Sequence, residues 1–166
     1  YRLIGYESRL LEAKDFNDDT KDAGEMGAGH SVTALYEIIP VGVKSNFIPS
    51  IDPLKYQKTE KNEKKTLTDS PELLTVKLRY KQPESHKSSK MEVTIIDNNT
   101  PLKKSSENFR FSAAVAGFGM LLQNSEYKNN FTFDDIIDLA KQATNYDPEG
   151  YRKEFIRLVE SAALLK

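Results

Sequence analysis

LLTVKLRYK, residues 73–81, alternates apolar and polar side chains from Leu74 onward. Leu74, Val76, Leu78 and Tyr80 fall on one side, and Thr75, Lys77, Arg79 and Lys81 on the other. A period of two is the signature of an extended strand, because successive side chains point to opposite faces. One apolar and one wet face is the habit of an antiparallel sheet. Three other stretches repeat the pattern. Residues 91–96 place Met91, Val93 and Ile95 inward. Residues 31–39 place Val32, Ala34, Tyr36 and Ile38 opposite Ser31, Thr33 and Glu37. Residues 1–11 place Ile4, Tyr6 and Leu10 opposite Glu7 and Arg9. The polar stretch QPESHKSSK, residues 82–90, reads as a hairpin loop joining two of these strands.

After Pro101 the period becomes helical. Residues 107–123 are apolar on nearly every side, which predicts a central buried helix. Gly117 and Gly119 each weaken it by about 1 kcal/mol relative to Ala, a cost that close backbone packing would explain. A second helix starts at Thr132, with Asp135 three residues on in capping-box fashion. Ile136, Ile137, Leu139, Ala140 and Ala143 give it an apolar side. A third is predicted from Asp147, with Asp as cap, Pro148 at the first helical position and Glu149 at the positive dipole end. Tyr151, Phe155, Leu158, Val159 and Ala162 would form its core stripe. Strands first and helices last define an α+β protein. The expected fold is an antiparallel sheet or sandwich of about four or more strands, followed by two or three C-terminal helices.

At 166 residues the chain fits one domain, 1–166. Residues 44–71 interrupt it with Pro49, Pro53, Pro71 and the run QKTEKNEKKT, and read as a mobile polar loop. The chain opens directly on a strand pattern, so we expect a C-terminal fragment of a longer protein. Net charge is −1, which gives no long-range attraction to nucleic acid or anionic membrane. Charge is segregated nonetheless: residues 12–37 hold seven acids against two bases, and residues 52–90 hold ten bases against six acids. Cysteine is absent, which removes disulfides, thiolate nucleophiles and zinc-thiolate sites. No apolar run approaches the roughly 20 residues that cross a bilayer, so no direct membrane insertion by this chain is expected.

The chemically dense stretch is DFNDDTKDAGEMGAGH, residues 15–30. Asp15, Asn17 and Asp19 stand at alternate positions, as do the first ligands of a calcium loop. The pattern then departs, with Thr20 in place of the turn glycine and Met26 in place of the bidentate glutamate. A connection in which Asx side chains cap local amides fits the same residues. Gly24, Gly27 and Gly29 spell GxxGxG, but a strand follows them and the neighbouring acids would repel phosphate. His30 beside Ser31, downstream of Asp22 and Glu25, invites a hydrolase reading, yet no GxSxG elbow is present. His86 sits in a lysine-rich loop and reads as solvated. Lys77, Arg79 and Lys81 could track a single-stranded nucleic acid if Tyr80 shared their face; it points the other way, so no nucleic acid is expected. No catalytic residue and no cofactor is expected.

Three blocks, RLIGYESRLL with DFNDDTKDAGEMGAGHSVTALYEI, NFRFSAAVAGFGMLLQNSEYK, and YRKEFIRLVESA, together resemble the C-terminal region of bacterial von Willebrand factor type A domain proteins. In that group an uncharacterised domain follows the type A module. The family's metal-binding DxSxS motif does not occur in this chain, so that site does not transfer. The resemblance implies a non-enzymatic accessory or protein-interaction domain. Its partners would be the type A domain of the same polypeptide and other envelope proteins. It also implies location in the cell envelope, periplasmic or surface, with a lipid anchor supplied upstream. Residues 12–30 would then form an interdomain surface, with Asp18, Asp22, Gly27 and Gly29 as its contact residues. The two alternatives are a calcium-stabilised binding module using the Asp15–Asp22 loop and a hydrolase using His30 or the acids.

Overall fold

Ser106 opens the first helix. Its side chain accepts a hydrogen bond from the Phe109 amide at 3.2 Å, satisfying one of the donors that a helix start leaves free. In the computed structural model, which describes residues 1–6, 10–21, 24–40, 43–45, 47 and 70–165, this helix (α1) spans Glu107–Leu122. A second (α2) spans Phe133–Lys141 and a third (α3) Tyr151–Ala163. The strands are Arg2–Ile4 (β1), Leu35–Glu37 (β2), Glu72–Tyr80 (β3) and Ser89–Ile96 (β4). Strands precede helices, as the α+β expectation requires. Among the described residues they form two separate antiparallel pairs, β1 with β2 and β3 with β4.

The chain divides into two compact units. The helical unit comprises Tyr1–Leu10, Gly24–Ile38 and Thr100–Lys166; the hairpin unit comprises Leu11–Ala23 and Ile39–Asn99. In the helical unit, α1 buries Ala114, Gly117, Phe118 and Leu121, a line at helical spacing. They meet Ile136, Ile137 and Ala140 of α2 and Ile156 and Val159 of α3 in one core. The Phe118 ring meets Phe155 edge-on at 5.6 Å, and Phe111 meets Phe155 at 5.3 Å, the tilted geometry that aromatic quadrupoles favour.

Several expectations shift in detail. Helix α1 is not buried all round: Val115 is 43% and Phe109 48% exposed, because α2 and α3 cover one stripe only. The capping box of α2 is present, with Thr132 and Asp135 each accepting from the other's backbone amide. Helix α3 starts four residues after the predicted cap. Residues Asp147–Gly150 instead form a turn ending in Gly150 at φ +76°, a left-handed conformation that glycine adopts at low cost. Asp147 still caps, accepting from the amides of Arg152 and Lys153 at 3.1 Å each. The core line of α3 is therefore Ile156 and Val159 flanked by Phe155 and Ala162, while Tyr151 and Leu158 are exposed.

Strand β1 is shorter than the 1–11 pattern, because Gly5 and Tyr6 both take positive φ, 72° and 59°; residues 7–9 lie outside the described residues. Strand β2 occupies only the centre of the 31–39 pattern. The pair is fastened by Arg2, which contacts Glu37 at 2.5 Å and lies 3.9 Å over the Tyr127 ring. Strands β3 and β4 match their patterns, with Thr75↔Thr94, Val76↔Val93, Lys77↔Glu92 and Leu78↔Met91 in register. Most of the expected 44–71 loop lies outside the described residues.

The two helix glycines differ. A Cβ on Gly117 would stand 2.4 Å from Cε1 of Phe131, whereas one on Gly119 would meet nothing within 4 Å. Close packing thus explains Gly117 and not Gly119, and the neighbour is a ring rather than backbone. Gly117→Ala should lower stability by about 1–3 kcal/mol through overpacking. Gly119→Ala should leave it unchanged or raise it by up to about 1 kcal/mol. Urea midpoints of the two variants test this; equal effects would contradict the Phe131 contact.

Candidate functional site

The acidic stretch of the hairpin unit folds as a strap. Ala13–Asn17 makes a 3-10 turn, and the Asp18 amide donates to the Asp15 carbonyl at 3.1 Å. The Asp18 carboxylate accepts from the Thr20 amide at 2.9 Å and its hydroxyl at 2.7 Å, an Asx turn. Asp19 reaches across to the hairpin. Its carboxylate accepts from Arg79 Nη2 at 2.7 Å and from the Ser88 hydroxyl at 2.5 Å. Its carbonyl accepts from Lys81 Nζ at 2.6 Å, and the Asn17 side-chain oxygen accepts from Arg79 Nη1 at 3.1 Å. Arg79 also donates from Nε to Ser88 at 2.9 Å. The donated Ser88 hydroxyl and Arg79 hold the Asp19 carboxyl below the usual carboxylate range. Thr20 does the same for Asp18.

These contacts place the described residues singled out in the sequence. The Asp15 carboxylate faces Lys21 at 3.9 Å, while the Asn17 and Asp19 oxygens accept from Arg79. A cation between Asn17 and Asp19 would have to displace that guanidinium. Among the described residues no group of three or more His, Asp or Glu is arranged to hold a metal ion. Asp22 lies outside the described residues. Gly27 and Gly29 belong to the helical unit, where the His30 amide closes a turn on the Gly27 carbonyl and Gly29 takes φ +77°. His30 and Ser31 are both exposed, as is His86. The Arg79–Asp19–Ser88 cluster was not among the sequence candidates. Arg79 sits among lysines on a polar strand face, and nothing local distinguishes it from them.

The strap occupies the face that carries Arg79. On the opposite face stand Leu74, Val76, Leu78 and Tyr80 of β3 and Met91, Val93 and Ile95 of β4. Their alternation matches the sequence reading; their burial does not. Val76, Leu78, Tyr80, Met91, Val93 and Ile95 are 39–51% exposed. A two-stranded ladder cannot roll an apolar face closed on itself. The result is an apolar surface with no charged residue in it, bounded by Lys77, Lys81 and Lys90 on the other side of the pleat.

The helical unit carries an open groove of about 450 Å³. Phe109, Gly117, Met120, Phe131 and Leu139 line it together with Lys128 and Asp135. Neither His30 nor Ser31 lines it.

One unit of three helices with the short β1–β2 pair, and a second built on the β3–β4 hairpin, define the class: an α+β protein. The family described as "Uncharacterized protein YfbK, C-terminal" matches residues 1–165. The curated "Uncharacterized protein YfbK" of Escherichia coli (strain K12) is 43% identical over 162 residues. The chain belongs to this YfbK C-terminal family. The match covers 98% of the chain and 27% of that relative, so the chain spans about a quarter of the relative's length. No solved structure matches the chain.

The strap should respond to acid in a defined direction. Asp19 has a lowered folded-state pKa, so its contribution is present above the unfolded carboxylate pKa and is lost as pH falls through the folded value. Asp19→Asn should be less stable than the native chain at neutral pH, and the difference should shrink in strong acid. Urea midpoints of both proteins across the acid range check this; a difference constant with pH would contradict it.

Proposed function

We propose that this chain is a non-enzymatic protein-interaction domain that accompanies a von Willebrand factor type A module in a bacterial envelope protein. The observation that carries the reading is the apolar β3–β4 face, with six side chains 39–51% exposed in one contiguous surface. Exposed apolar surface of this kind, rimmed by polar residues, is the usual mark of a protein-binding site. The strap supports the same reading, because it fixes the hairpin from behind and presents the face on a rigid support. Family membership is consistent with accessory status, since the matching family is described as a C-terminal one and the match covers about a quarter of a longer relative. The resemblance to type A proteins supplies the module and the envelope setting, with the anchor upstream. The calcium alternative loses support where Arg79 occupies the Asn17 and Asp19 oxygens, and the hydrolase alternative where His30 and Ser31 stand in solvent.

A photo-reactive benzoylphenylalanine in place of Val93 tests this in the full-length gene product. Irradiation should give a covalent protein adduct from this position, while the same probe at Thr94, on the strapped face, should give much less. Equal or absent adducts at the two positions would sink the reading.

A further inference from the structure

We draw no further inference here: the strongest candidate, the open apolar groove where Phe131 lies on Gly117 in the helical unit, carries nothing because its two charged lining residues, Lys128 and Asp135, are already engaged by Asn124 and Thr132, and nothing in the structure shows what covers it.

Discussion

A ladder of two antiparallel strands has two faces and can cover neither with its own backbone. The hairpin unit resolves this on one side only. Arg79 projects from the polar face of β3 and is held at once by Asp19, Asn17 and Ser88. The same Asp19 takes the Ser88 hydroxyl on its carboxylate and the Lys81 ammonium on its carbonyl, the two residues that flank the turn of the hairpin. Its bonds with Arg79 and Ser88 are charge-assisted, and they tie residues 60 and 69 positions apart in sequence. One half-exposed ion pair alone would contribute little. A network that shares one guanidinium and one hydroxyl fixes geometry more than energy. With one face pinned in this way, the alternation of the strands leaves Leu74, Val76, Leu78 and Tyr80 of β3 and Met91, Val93 and Ile95 of β4 on the other.

The helical unit is organised by different means. Its core is local in sequence, since α1, α2 and α3 follow one another through short connections, and Ile136 and Val159 are wholly buried at its centre. Capping sets the ends of these helices: Ser106 for α1, the Thr132–Asp135 box for α2, and the carboxylate of Asp147 for α3. Arg110 links the first two, donating from Nη2 to the Gln142 carbonyl at 3.2 Å and from Nη1 to Ser105. The groove over Phe131 exists because Gly117 lets that ring lie directly on α1.

What the sequence reveals and conceals follows from the range of each interaction. The α2 cap is legible because Thr132 and Asp135 are three residues apart and their side chains bond within that span. The β3 and β4 faces are legible because alternation is a property of the strand itself. The start of α3 is less so: Asp147 and Pro148 carry helix-start chemistry, yet Gly150 takes the left-handed conformation and moves the first turn along. The strand pattern at the N-terminus likewise overruns its structure, because Gly5 turns the chain away. Burial of Val76 and Val93 is not legible, since alternation says which side chains share a face and nothing about what covers it. The roles of Asp19 and Arg79 are also hidden. Among five acids and many lysines, only the folded path of the strap selects the pair that meet.

The account stands on the claim that the β3–β4 face is open in a single chain. The most direct measurement is relaxation of the Val76, Leu78 and Val93 methyl protons by a soluble paramagnetic probe in dilute solution. Strong enhancement at all three residues is the predicted result. Methyl groups shielded from the probe would mean that the chain covers this face itself, and would contradict the account.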